Sequence, residues 1–95
     1  MERKIVLITG ATSGIGEGCA HRFADGGYNL IITGRNEQKL NAMKQEFEHD
    51  GTEVLVLCFD VRDRKAASAA IESIPERWQN IDVLINNAGL ARGLE

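Results

Sequence analysis

Four short aliphatic runs punctuate the chain: KIVLI at 4–8, YNLII at 28–32, VLVLCF at 54–59 and IDVLI at 81–85. Each is nearly continuous rather than alternating, which is the pattern of a strand buried on both faces of a sheet. Between the runs the period becomes helical. Ile15, Cys19 and Phe23 recur at i, i+4, i+8 after the first run, and Leu40, Met43 and Phe47 at i, i+3, i+7 after the second. Ala67, Ala70, Ile71, Ile74 and Trp78 do likewise after the third. Gly26-Gly27 closes the first helix, Asn36 and Asp63 are N-caps for the second and third, and Pro75 marks the third helix's end. The predicted order is β-α-β-α-β-α-β.

Parallel strands joined through helices cross over right-handed, so this order predicts an α/β fold. It is a Rossmann-type doubly wound parallel sheet in strand order 3-2-1-4, with helices on both faces. No linker, repeat or low-complexity stretch divides the 95 residues. Residues 1–95 are therefore expected to share one core. Ligands of such sheets bind beyond the carboxyl ends of the strands, where the strand order reverses, here between strands 1 and 4.

That crevice receives ITGATSGIGEG, residues 8–18, with four glycines where a helix should begin. A strand turning directly into a helix aims unpaired N–H groups and the positive end of the helix dipole at one spot, which favours an anion. Gly10 permits the tight turn, Gly14 lets the backbone approach the ligand, and Gly16 lets the helix pack closely on the sheet. Thr12 and Ser13 add hydroxyls. A pyrophosphate is the anion this loop predicts. A methyltransferase, the competing fold of similar topology, carries an acid just before its glycines; here that place holds Leu7-Ile8-Thr9.

Strand 2 decides which dinucleotide. NAD binders place Asp or Glu at its end, whereas a 2′-phosphate needs a cation. YNLIITGRN contains no acid and ends in Gly34-Arg35-Asn36. Arg35, unless it is simply a solvated loop charge, forks onto the phosphate and favours NADP. After strand 3, Asp60 faces either the adenine amino group or its own turn, and Val61 the adenine ring. After strand 4, Asn86 and Asn87 either tie strand ends together or touch ligand.

Composition narrows the partners. Fourteen acidic against eleven basic side chains leave a net charge of −3, with no electrostatic footprint for nucleic acid. No apolar run is long enough for a signal peptide or a membrane span, so a cytoplasmic protein with no membrane partner is expected. Cys19 and Cys58 have no CxxC or Cys/His grouping and are expected to be buried small hydrophobes. His21 and His49 read as surface side chains of helices, and no metal site is indicated.

TGATSGIG after strand 1, Asp60-Val61 after strand 3 and NNAG at 86–89 together resemble the short-chain dehydrogenase/reductase family, across the whole chain. The resemblance implies an NADP(H)-dependent oxidoreductase with cofactor contacts at Gly10, Thr12, Ser13, Ile15, Gly16, Arg35, Asp60, Val61 and Asn87. SIPERWQNIDVLINNAGLARG is similar to the branch of 3-hydroxy acid dehydrogenases that oxidise serine or allo-threonine, with Arg92 departing from the aliphatic residue expected there. That family's proton transfer uses a tyrosine, a lysine four residues later, a serine and usually an asparagine. The only tyrosine here is Tyr28, and four residues on stands Ile32. Two readings stay open: the cofactor-binding N-terminal portion of an alcohol/carbonyl oxidoreductase, or a non-catalytic nucleotide-binding or interaction module. In the family's fold a fifth strand pairs with the outer side of the fourth. If that edge is bare, IDVLI is expected to recruit another strand. A homo-oligomer is the expected assembly.

Overall fold

The computed structural model describes residues 3–87. Ala88 and Gly89 of NNAG, and Arg92, lie outside them. The elements follow the predicted order: β1 (Ile5–Thr9), α1 (Gly14–Asp25), β2 (Asn29–Gly34), α2 (Glu37–His49), β3 (Val54–Cys58), α3 (Arg64–Glu72), a 3-10 turn (Glu76–Trp78) and β4 (Val83–Asn86). The strands pair in parallel in the order β3-β2-β1-β4.

The first three aliphatic runs form strands covered on both faces, whereas β4 departs from that expectation, with Leu84 62% exposed. Val6, Ile8, Leu30 and Ile32 point to one side, where they pack with Ala20 of α1 and with Leu40, Met43 and Phe47 of α2. Ile5, Leu7, Ile31 and Leu57 point to the other, where they meet Ile74 and Trp78. Three strands reach further towards their carboxyl ends than their aliphatic runs, adding Thr9 to β1, Thr33 and Gly34 to β2 and Asn86 to β4, while β3 stops at Cys58, short of Phe59. The apolar core therefore gives way to hydrogen-bonding groups along one end of the sheet. At the opposite end Asp82 closes the ladder: its N–H donates to the Ile5 carbonyl and its carboxylate accepts from the Ile5 N–H, each at 2.9 Å.

Helix starts follow their caps. The side chains of Asn36 and Asp63 accept from Lys39 N and Ala66 N, each at 3.1 Å. Gly26 caps α1, and Gly27 follows at φ 88°, a left-handed conformation that a Cβ disfavours.

Three further expectations about packing are corrected. The third helix does not carry its apolar face to Trp78. α3 stops at Glu72 with no fully buried residue and Ile71 half exposed, because Pro75 lacks an N–H and holds the preceding residue extended. Ile74 and Trp78 enter the core from the connection and the 3-10 turn instead. Ile15 is 62% exposed; the buried positions of α1 are Gly16 and Ala20, since its first turn lies beyond the sheet's end. The cysteines are not both buried: Cys19 is half-buried and Cys58, the last residue of β3, is exposed. His21 and His49 are exposed, as expected.

Gly16 marks the closest approach in the fold. A Cβ built there would overlap the Gly10 carbonyl oxygen and lie 2.9 Å from Ala11 Cα, so α1 packs against the backbone of the preceding turn rather than on the sheet alone. The same construction on Gly14 meets nothing within 4 Å. Gly16→Ala should therefore lower stability by about 1–3 kcal/mol, the cost of overpacking. That outweighs the roughly 1 kcal/mol that alanine gains in helix propensity. Gly14→Ala should leave stability within about 1 kcal/mol. Chemical denaturation of the two variants checks the contrast.

Candidate functional site

The glycine loop is built around one acceptor. Gly10 ends the strand-to-loop transition at φ 62°, a conformation that suits glycine. Its carbonyl accepts from Ser13 N at 3.2 Å, Ser13 Oγ at 3.0 Å and Asn87 Nδ2 at 3.0 Å. Asn87 Nδ2 also donates to Ser13 Oγ at 2.8 Å, and Ser13 Oγ accepts from Gly16 N at 3.1 Å as the N-cap of α1. Asn87 is buried, so its amide is held inside this network rather than turned to solvent. Beside it Thr9 Oγ1 donates to Asn86 Oδ1 at 3.1 Å. Both asparagines therefore tie strand ends together.

This arrangement consumes some first-turn donors and spares others. The Ser13 carbonyl takes Glu17 N at 2.8 Å. The N–H groups of Gly14 and Ile15 have no acceptor among the described residues, and the space over Gly14 is open. An anion resting there gains two backbone donors and the positive end of α1. The cradle fits a dinucleotide's pyrophosphate, with exposed Ile15 at its rim.

The loop is also fastened to β2. Ala11 N donates to the Thr33 carbonyl at 2.9 Å, and Thr12 packs against Gly34, where an added Cβ would lie 3.4 Å from Thr12 Cγ2. Lys39, in the first turn of α2, reaches across to donate from Nζ to the Thr12 carbonyl at 2.6 Å. Arg35 follows Gly34 with its side chain 68% exposed, and β2 carries no carboxylate. The acid beside it comes from the turn after β3: Asp60 Oδ2 lies 3.8 Å from Arg35 Nη1.

Asp60 is a turn residue, whatever it does for a ligand. Its Oδ1 accepts from Arg62 N at 2.9 Å and Nε at 3.1 Å, while Oδ2 accepts from Arg62 Nη2 at 2.9 Å. Val61 is half-buried between them. The guanidinium bonds first, and then the Arg62 N–H, hold the Asp60 carboxyl down at about 2, with Arg35 a minor contributor.

Lys39 and Arg62 are site residues that the sequence pattern did not single out. Lys39 sits 27 positions from its partner, and nothing in periodicity pairs them. Arg62 left a usable sign, since Asp-x-Arg at 60–62 suits an Asx turn closed by a guanidinium. Thr33 was hidden inside a strand; its Oγ1 is buried without a hydrogen-bond partner. Among the described residues no His/Cys/Asp/Glu cluster could hold a metal, and no helix is long and apolar enough to cross a membrane.

The Asp60 pair sets a pH dependence. A carboxyl lowered on folding takes up its proton first in the unfolded chain, so its contribution is complete above pH ~4, near the ordinary Asp value, and fades as pH falls towards 2. Carboxyl NMR titration should show Asp60 titrating near 2. In Arg62→Gln it should return towards ~3.9.

Comparison with known proteins agrees with this construction. Residues 4–95 match the family model described as short chain dehydrogenase. The chain is 50% identical over 91 residues to an NADP-dependent 3-hydroxy acid dehydrogenase YdfG of Salmonella typhi, covering 96% of this chain and 36% of that protein. It is 48% identical over 87 residues to sulfoacetaldehyde reductase 2 of Chromohalobacter salexigens, covering 92% and 34% respectively. A closed form of serine dehydrogenase complexed with NADP+ superposes with a TM-score of 0.76 at 41% identity, covering 84% of this chain and 31% of that one. The chain thus spans about a third of the length of these relatives. With its glycine loop, parallel sheet and paired asparagines in register, the chain belongs to the short-chain dehydrogenase family.

Proposed function

We propose that this chain is the NADP(H)-binding portion of an oxidoreductase that moves hydride between NADP and an alcohol or carbonyl, with a 3-hydroxy acid such as serine as the substrate class. The observation that carries the cofactor assignment is Arg35, exposed at the end of a strand without a carboxylate. The relatives' names, NADP-dependent 3-hydroxy acid dehydrogenase and serine dehydrogenase with NADP+, support the reaction class.

On this reading the nicotinamide supplies or accepts the hydride, and the described residues bind and orient the cofactor. Gly10, Thr12, Ser13, Ile15 and Gly16 form the cradle, with the Gly14 and Ile15 N–H groups donating to the pyrophosphate. Arg35 takes the 2′-phosphate in a charge-assisted pair. Asp60 accepts from the adenine amino group while Val61 lies against the ring. Asn87 holds the loop in shape from β4, so its amide acts on the cofactor through Gly10 and Ser13. None of these groups transfers the substrate's proton. That step falls to the tyrosine and lysine of the family's reaction, which no Tyr-x-x-x-Lys in these 95 residues supplies.

Arg35→Ala should weaken NADPH binding by about 1.5–3 kcal/mol, the scale of a hydrogen bond to a charged group, and leave NADH nearly unchanged. Fluorescence titration of both cofactors tests this. Equal losses would overturn the NADP assignment.

A further inference from the structure

An arginine meant for a 2′-phosphate has an awkward neighbour here. Asp60 Oδ2 stands 3.8 Å from Arg35 Nη1. A carboxylate so placed both competes for the guanidinium and repels the incoming phosphate. Arg62 opposes both. It grips Asp60 on two sides, with its backbone N–H and Nε on Oδ1 and with Nη2 and Nε on Oδ2, at 2.9–3.3 Å. The partner at 2.9 Å outcompetes the one at 3.8 Å for the same Oδ2. Because Asp60 and Arg62 are two residues apart on one turn, the pair closes without ordering a long segment.

We propose that Arg62 is a positioning residue that sets cofactor selectivity: by occupying Asp60 it leaves the charge of Arg35 for a 2′-phosphate. The proposal rests on the NADP reading above. The three side chains sum to one positive charge, and the close pair takes up the negative one. Arg62 donates to both oxygens twice, with Nε shared between Oδ1 at 3.1 Å and Oδ2 at 3.3 Å, and Arg35 approaches Oδ2 from farther off. When Arg35 turns to a phosphate, an amino group such as adenine's can approach Oδ2 from the side that Arg35 leaves. Arg62 thus reconciles two demands that conflict at this corner, an acceptor for the base and an unshared cation for the phosphate.

The test is the ratio of NADPH to NADH affinity, measured by titration of the protein and its variants. Arg62→Gln should lower the ratio about two- to fivefold, the scale of an exposed ion pair, with NADH affinity moving less. Asp60→Asn keeps an acceptor for the base and removes the competing charge, so added to Arg62→Gln it should restore the ratio. An unchanged ratio in Arg62→Gln, or equal losses of both cofactors, would overturn the proposal. So would a double variant whose ratio stays low, since Arg62 would then be attracting the phosphate itself. Arg35→Ala separates the levels: if it leaves the ratio unchanged, the 2′-phosphate reading fails and this proposal with it. If Arg35→Ala collapses the ratio while Arg62→Gln does not, only the role of Arg62 is wrong.

Discussion

The Gly10 carbonyl oxygen is the point on which the cofactor end of this fold is hung. Three donors from two segments converge on it, and Gly16 approaches so closely that no side chain fits between. A backbone oxygen cannot be repositioned by a rotamer change. The turn, the start of α1 and the end of β4 must therefore adopt one mutual arrangement, and this arrangement leaves the N–H groups of Gly14 and Ile15 facing open space. The cradle is thus a by-product of how a tight turn satisfies its own hydrogen bonds.

Around that cradle the chemistry is graded along the strands. Aliphatic residues hold the sheet together, and the ends of β1 and β4 exchange burial for side-chain hydrogen bonding at Thr9 and Asn86, while Thr33 at the end of β2 stays buried. Charge enters only outside this polar rim, through Lys39 on the loop's Thr12 carbonyl and through Arg35, Asp60 and Arg62 at the ends of β2 and β3. The burial cost of a charge is avoided, because every one of these groups keeps contact with water.

Strands covered on both faces announce themselves in sequence, and β1, β2 and β3 were legible in that way; β4 was legible from its aliphatic run although Leu84 is exposed. Asn36 and Asp63 were legible as caps because their side chains have a local task, accepting from an N–H three residues on. The glycine loop was legible through spacing. Less could be read where the outcome depends on what lies across a gap. Periodicity placed Ile74 and Trp78 on the third helix's apolar face, but the helix ends before Pro75, as that proline signalled, and the two residues reached the core from outside a helix. Cys58 looked like a core residue and became a solvent-facing strand end. Ser13 was legible as a loop hydroxyl, but spacing gave no sign that its oxygen also caps α1 and accepts from Asn87. Lys39 and Arg62 owe their roles to side-chain reach, which a linear pattern does not encode.

The clamp between Asn87 and Gly10 joins residues 77 positions apart. Contacts this distant in sequence close late, since the intervening chain must be ordered before they repay the entropy of the loop. On a ribosome the first three βα units emerge and can collapse before Asn87 is made. The glycine loop, encoded before every strand but the first, therefore waits for the fourth strand before its shape is secured. A nascent chain with three of these strands paired still lacks the contact that fixes its nucleotide cradle.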